Sequence, residues 1–150
     1  MFSRFNIVLF KPEIASNTGN IGRLCLGAGA KLIIVKPTKF LLTDKQIRRA
    51  GLDYWKDVKP RFVSSLKEID TARAYYCTTK SKKPYYECTF TEGDYFVFGP
   101  ESSGLPKDLL AKNAERTITI PMTKSVRSLN LANSVAIILH EALRQNGHDK

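Results

Sequence analysis

The chain has 150 residues, 43% hydrophobic and 10% aromatic, which is enough to bury the core of one domain, so we predict a single domain over residues 1–150. Its 24 Lys and Arg residues against 14 Asp and Glu give a formal net charge of +10, which favours polyanionic partners, nucleic acid first, over an untargeted basic surface. Three widely spaced cysteines and two histidines support neither a disulfide framework nor a zinc site, no apolar run is long enough to span a membrane, and the N-terminus lacks a signal-peptide layout. We therefore expect a cytoplasmic protein with reduced thiols, no metal and no membrane partner.

Short apolar runs alternate with helical patterns along the chain, which is typical of an α/β fold with a mostly parallel, buried sheet flanked by helices. The predicted strands are 6–10, 32–35, 74–77, 95–98 and 117–120. Gly27-Ala28-Gly29 lacks the third glycine of a dinucleotide-binding turn and is predicted to end a helix. Capping-box patterns at Thr43–Gln46 and Ser65–Glu68 predict two short helices, and a last helix is predicted from near Asn130 to about Asn146, ending at Gly147.

The loop from Phe98 to Pro106 is the strongest indication of a ligand site. It joins the fourth predicted strand to a predicted helix through two glycines, two prolines and Glu101. Gly99 and Gly104 allow backbone conformations closed to other residues, and Pro106 suits the first turn of a helix. Few purely structural turns need all of these features together.

Two other segments share this mixture of small, amide and hydroxyl residues: 17–23, and Ile120–Met122 followed by Ser128–Asn133. Together the three segments predict one site. The sequence contains neither a G-x-x-x-x-G-K-[ST] loop nor a G-x-S-x-G nucleophile motif, so nucleoside triphosphatase and Ser-His-acid hydrolase functions are not supported.

Basic residues cluster in two places that could bind RNA, and the second cluster lies beside two tyrosines that could stack on unpaired bases. The clusters are Lys36, Lys39, Lys45, Arg48 and Arg49, and Lys80, Lys82 and Lys83 with Tyr85 and Tyr86.

In order, spacing and distance from the ends, the three segments resemble the three motifs of the SPOUT superfamily of S-adenosylmethionine-dependent RNA methyltransferases, in the branch that methylates ribose 2′-hydroxyls. The likeness covers nearly the whole chain. The stretches Glu13–Arg23, Arg48–Tyr54, Phe98–Pro106 and Arg127–Asn133 look most like the minimal tRNA wobble-ribose methyltransferases, which lack an added RNA-binding domain.

This resemblance implies methyl transfer from S-adenosylmethionine to the ribose 2′-hydroxyl of the wobble nucleotide, cytidine or modified uridine 34, in a tRNA anticodon stem-loop. It also implies a C-terminal deep trefoil knot and an obligate homodimer, neither of which could be worked out from periodicity. Two alternatives stay open: methylation of another tRNA position or of ribosomal RNA, and a non-catalytic RNA-binding dimer.

The same resemblance implies roles for individual residues. The cofactor would be bound by Cys77, Thr78, Gly99, Glu101, Gly104, Ile120, Met122, Ser128 and Leu129. Arg23 would clamp an RNA phosphate and stabilise the developing alkoxide, because a guanidinium stays protonated and is a poor general base. Asn17, Ser128 and Asn130 would orient the nucleotide and Arg23, and Glu101 would hold a loop amide or offset the sulfonium charge.

Several of these residues also have simpler interpretations. Asn17 and Asn130 can each be explained as helix caps, because Asn at a helix start usually satisfies backbone amides. Taken alone, Arg23 can be explained as a surface charge, and Cys77 as a small buried apolar residue. His140 occupies a position that commonly carries Tyr in the wobble-ribose relatives, so the resemblance implies either a pH-dependent activity or a role that has moved. An ordinary helix histidine is the alternative.

Overall fold

The computed structural model describes residues 4–43 and 45–147. Its strands are β1 Asn6–Phe10, β2 Lys31–Val35, β3 Arg61–Val63, β4 Ala74–Cys77, β5 Tyr95–Phe98 and β6 Thr117–Ile118. They form one sheet in the order β3-β2-β1-β5-β4-β6, and every strand pair in it is parallel. The predicted α/β class with a mostly parallel sheet is confirmed.

Five α-helices are present in the described part of the chain: α1 Ala15–Ala28, α2 Lys45–Gly51, α3 Trp55–Val58, α4 Lys107–Lys112 and α5 Leu131–Asn146. Single 3-10 turns cover Leu52–Tyr54, Leu66–Glu68, Thr71–Arg73, Tyr85–Glu87 and Ala114–Arg116.

Helices cover both faces of the sheet, which explains why the strands are apolar along their whole length. On one face, Ile7 and Leu9 pack in a cluster that includes α1 and α5 side chains. On the opposite face, Val8 and Val97 pack with Leu105, which anchors the loop after β5 in the core. The alternation of neighbouring β1 residues between two clusters follows from the period of two in a strand.

Most predicted element positions are confirmed. β1, β4 and β5 have the predicted bounds, and β2 begins one residue earlier, at Lys31. The last helix has Asn130 as its N-cap and ends at Gly147, whose φ is 75°. Gly29 ends α1 in the left-handed conformation, at φ 69° and ψ 29°, as the helix-stop interpretation of that segment requires.

Two predictions need correction, and one strand was missed. β6 ends at Ile118, because Thr119 makes only a single bridge, to Pro84. The strand Arg61–Val63 was not predicted, because it is a short edge strand with one buried residue. Ser65 does form a capping box, but the box closes one 3-10 turn instead of an α-helix. α2 starts near the other predicted box, whose Asp44 lies outside the described residues.

Candidate active site

The loops that follow β4, β5 and β6 meet the start of α1 at the carboxyl edge of the sheet, where open α/β folds bind ligands. They enclose a cavity of about 630 Å³, within the usual range for a small-molecule site. All nine predicted cofactor-binding residues line it: Cys77, Thr78, Gly99, Glu101, Gly104, Ile120, Met122, Ser128 and Leu129. Asn17 and Asn130 line it as well. Residues of all three segments singled out in the sequence therefore line one cavity.

Two glycines shape the cavity wall after β5, for different reasons. Gly104 has φ 69°, a conformation that disfavours side chains, and its N–H donates to the Pro100 carbonyl at 2.9 Å. Gly99 is not in the positive-φ region, so its predicted conformational role is wrong. A Cβ at Gly99 would overlap the main chain of Gly104 and Leu105, so the loop folds back directly onto this residue. Pro106 is the N-cap of α4 and stands one position before the predicted first turn.

Glu101 caps the N-terminus of α1 from a different loop. Its carboxylate accepts hydrogen bonds from the main-chain N–H groups of Glu13 and Ile14 at 2.9 and 2.8 Å, and from Asn17 Nδ2 at 3.3 Å. The N-cap residue Ile14 has no side chain that could do this. A negative charge at this end of a helix is also favoured by the helix dipole. Glu101 therefore holds two loop amides, one of the two roles proposed for it from the sequence.

Glu13 makes the reciprocal contacts. Its carboxylate accepts from the N–H and the hydroxyl of Ser102 at 2.8 and 2.6 Å and pairs with Lys39 Nζ at 2.6 Å. The hydrogen bond from Lys39, followed by those from Ser102, lowers the pKa of Glu13 to about 2, so the carboxylate is ionised at neutral pH. Three loops, after β1, β2 and β5, are thereby joined through one side chain.

The amides of Asn17 and Asn130 continue this network, and their orientation is fixed by their partners. Asn130 Oδ1 caps α5 by accepting from the N–H of Asn133 at 3.2 Å, so its Nδ2 donates to Asn17 Oδ1, at 3.1 Å. Asn17 Nδ2 is then left to donate to Glu101. The capping interpretation is thus correct for Asn130, and both amides also join motifs that are 113 positions apart.

Cys77 contributes a half-buried thiol to the cavity. Burial, with a smaller effect of nearby Cys88, raises its pKa well above the usual range, so Cys77 stays a neutral thiol at neutral pH. A neutral thiol fits the alternative interpretation of Cys77 as a small buried apolar residue, and it disfavours a nucleophilic role.

Arg23 and His140 do not line the cavity. Both are exposed, Arg23 on α1 and His140 on α5. The Arg23 guanidinium lies 5.9 Å from the centre of the Tyr54 ring, a cation–π distance. The structure of the single chain therefore assembles the predicted cofactor residues but leaves the predicted catalytic arginine outside the cavity.

Several residues of the cavity wall, and one residue that bridges its loops, were not predicted from the sequence to belong to the site. Ile14, Lys80, Arg127 and Ser134 line the cavity, and Glu13 bridges its loops. Glu13 and Arg127 fall within the stretches that carry the family resemblance, so their position was a usable signal, whereas nothing local marks Ser134.

Within residues 4–43 and 45–147 no group of three His, Cys, Asp or Glu side chains could hold a metal ion. The same residues include no helix with the length and hydrophobicity needed to cross a membrane.

The family model described as SpoU rRNA Methylase matches residues 4–140. The chain belongs to the SpoU rRNA methylase family. A SpoU-family relative from Saccharophagus degradans is 43% identical over 148 residues, and one from Methylovorus glucosotrophus is 44% identical over 147. Each alignment covers 95% of this chain and 96% of the relative, and both relatives are named tRNA (cytidine(34)-2'-O)-methyltransferase.

A solved structure described as "Structural insights into the 2-OH methylation of C/U34 on tRNA" is also similar, with a TM-score of 0.88 and 41% identity over 95% of both chains. The predicted membership of a ribose-methylating RNA methyltransferase family is confirmed by these matches.

Proposed function

We propose that this protein transfers a methyl group from S-adenosylmethionine to the ribose 2′-hydroxyl of the tRNA wobble nucleotide, cytidine or uridine 34. The observation that carries this proposal is the identity of 43% to a relative of that name, along nearly the full length of both chains. The substrate is then the anticodon stem-loop, and the cytoplasm is the proposed site of action.

The cavity suits S-adenosylmethionine in size and chemistry. Its apolar walls at Ile120, Met122 and Leu129 can enclose an adenine ring, and the glycine loop after β5 exposes main-chain groups for polar contacts. When bound, S-adenosylmethionine supplies an electrophilic methyl group on a sulfonium. Glu101 already accepts three hydrogen bonds from the protein, so we assign it to holding the loop and not to offsetting the sulfonium charge.

The ribose hydroxyl must be aligned and must lose its proton as the new bond forms. Asn130 has one Nδ2 hydrogen left after its bond to Asn17, and Ser128 is exposed beside it on the cavity wall. We propose that these two side chains orient the nucleotide. Asn17 is 6% exposed and hydrogen-bonded through both amide atoms, so it acts as a positioning residue for Asn130 and Glu101.

Arg23 needs another way to reach the reacting nucleotide. It is six positions from Asn17 on α1, and at about 3.6 residues per turn the two side chains lie on different faces of the helix. We propose that the enzyme is a homodimer in which Arg23 of one protomer faces the RNA bound at the cavity of the other. The guanidinium would there clamp a phosphate and stabilise the developing alkoxide.

Subunit mixing tests this arrangement. Arg23→Ala and Leu129→Trp, which fills the cavity wall at an exposed position, are each expected to be inactive. After complete exchange between the two variants, action across the interface restores about a quarter of wild-type activity, because half of the dimers are mixed and each has one intact site. Activity that stays at the level of the single variants would contradict it.

The domain organisation and the knot are part of the same proposal. We propose that residues 1–150 form one domain and that the segment after β6 is threaded as a deep trefoil knot. Support comes from the walls of the candidate active-site cavity, which combine residues 77–80, 98–105, 118–120, 122 and 127–131, and from α5, which then packs against α1 on the sheet.

The function is tested by incubating purified protein with labelled S-adenosylmethionine and tRNA, followed by nuclease digestion and mass spectrometry. A matched tRNA with 2′-deoxyribose at nucleotide 34 is the control substrate. We expect label on the ribose of nucleotide 34 in the first tRNA and none in the second. Because the matching family is described as rRNA methylases, ribosomal RNA is included as a competing substrate. Methylation of ribosomal RNA alone would show that ribosomal RNA, and not tRNA, is the substrate. Cofactor binding without any transfer would favour a non-catalytic RNA-binding dimer.

A further inference from the structure

A second cleft of about 260 Å³ lies directly beside the candidate active site. Thr78 and Lys80 line both, so the loop after β4 forms the ridge between them. Any chain of nucleotides that placed one ribose in the larger cavity could therefore continue into the smaller cleft.

The rim of this cleft is positively charged. Lys80 and Lys107 approach it from the loop after β4 and from the start of α4, respectively. Among the described residues neither lysine forms an ion pair, and the acidic neighbour Asp108 does not line the cleft. Two ammonium groups without a protein counter-ion at one opening favour an anionic ligand.

The floor of the cleft is apolar. It consists of Leu110, Ala111 and Ala114, from α4 and the 3-10 turn after it. Two hydroxyl oxygens at its edge make hydrogen bonds within the protein: Ser81 Oγ donates to the Thr117 carbonyl at 3.1 Å, and Thr78 Oγ1 accepts from the Lys80 N–H at 3.2 Å. A cleft lined by apolar residues and two lysines suits a nucleotide, whose ring can pack on the apolar residues while its phosphate pairs with the lysines.

We infer that this cleft binds the nucleotide next to the methylated one in the RNA substrate, with its phosphate between Lys80 and Lys107 and its base or ribose on the floor around Ala111. The inference rests on the proposed function for its substrate, and it adds a recognition site outside the cofactor cavity.

The two parts of the inference are tested separately by affinity for an anticodon stem-loop. For the phosphate, Lys107→Gln is compared with Lys112→Gln, which removes an equal charge from the exposed end of the same helix, outside the cleft. We expect Lys107→Gln to weaken binding roughly five- to tenfold and to reduce the salt dependence by about one phosphate contact, with a smaller effect for Lys112→Gln. Equal effects of both variants would overturn the phosphate assignment.

For the floor, Ala111→Phe fills the cleft, and Ala111→Ser leaves it open at the same exposed position. Stem-loops that lack the base on either side of the target nucleotide complete the comparison. We expect loss of one of these bases to weaken binding by the wild type and by Ala111→Ser but to have little further effect on Ala111→Phe. Wild-type affinity in Ala111→Phe would overturn the floor assignment.

Failure of the inference can be distinguished from failure of the proposed function. S-adenosylmethionine affinity is expected to be unchanged in all four variants, because Lys107, Ala111 and Lys112 do not line the cofactor cavity. If the wild type methylates nucleotide 34 while the cleft variants bind like their controls, only the inference fails. If the wild type methylates no tRNA, the proposed function fails, and the affinity comparisons still decide whether the cleft binds RNA.

Discussion

Replacing Glu101 by Gln separates the two roles that the sequence left open for this carboxylate. One oxygen accepts from the Glu13 N–H, and the other from the Ile14 N–H and from Asn17 Nδ2. Gln keeps a single oxygen, which serves best at the position with two donors, so its NH₂ group would then face the Glu13 N–H. The variant loses one charge-assisted hydrogen bond and weakens two others.

The expected magnitude follows from these contacts. A hydrogen bond to a charged group contributes about 1.5–3 kcal/mol, so we expect Glu101→Gln to destabilise the contact between the loop after β5 and the start of α1 by about 2–3 kcal/mol. If that energy is needed to order the cavity wall, cofactor affinity falls by up to roughly 30- to 150-fold. Glu115→Gln, at an exposed position outside the cavity, is the matched control and is expected to have no effect.

Calorimetric titration with two ligands decides between the roles. S-adenosylmethionine carries the sulfonium charge, and S-adenosylhomocysteine, the product, is an uncharged thioether. Because Glu101 is already occupied by protein donors, we expect Glu101→Gln to weaken both ligands equally. A loss confined to S-adenosylmethionine would show that the carboxylate acts on the sulfonium and would refute the loop-holding role.

Four further predictions follow from the same contacts. Gly99→Ala places a Cβ against main chain, so it should lower the free energy of unfolding by about 1–3 kcal/mol and abolish cofactor binding. Gly104→Ala has open space around the new Cβ but keeps φ 69°, so it should lower the free energy of unfolding by about 1–2 kcal/mol. Urea denaturation and calorimetry check both variants, and equal cofactor affinity in the two would contradict the explanation by close approach of main chain. Arg23→Ala should lower kcat/KM for tRNA at least about 100-fold with an unchanged cofactor Kd, and a loss of cofactor affinity would contradict its assignment to RNA. The folded-state pKa of Glu13, about 2, lies below its ordinary value of 4.5, so the contribution of Glu13 to stability is present above about pH 4.5 and is lost as the pH falls towards 2. The difference in free energy of unfolding between wild type and Glu13→Gln should therefore shrink over that range. A difference that stays constant with pH would contradict the role of the ionised carboxylate. Arg48→Glu should weaken tRNA binding and its salt dependence without changing cofactor affinity, and unchanged tRNA affinity would remove the 36–49 cluster from the RNA surface.

Local patterns predicted the parts of this structure that depend on neighbouring residues. The buried runs of β1 and β5 and the capped helix α5 are each encoded within about ten to twenty positions, and the glycine-proline loop between β5 and α4, predicted to bind a ligand, lines the cavity. The strand Arg61–Val63 escaped because only Val63 is buried, which leaves too little periodicity in three residues.

Contacts between distant loops could not be predicted in this way. The Glu13 carboxylate meets Lys39 and Ser102 only because parallel strands bring their carboxyl ends to one edge. The exposure of Arg23 outside the cavity likewise depends on how α1 lies on the sheet. The family resemblance named this arginine, but only the fold shows that it lies outside the cavity.

Position-resolved mass spectrometry of tRNA from a strain lacking this protein tests most directly whether it methylates the wobble ribose. We expect the 2′-O-methyl group at nucleotide 34 to disappear from particular tRNAs and to return on expression of the wild type but not of Arg23→Ala. Unchanged methylation of nucleotide 34 in that strain, or loss of methylation at a different nucleotide only, would contradict the proposed function.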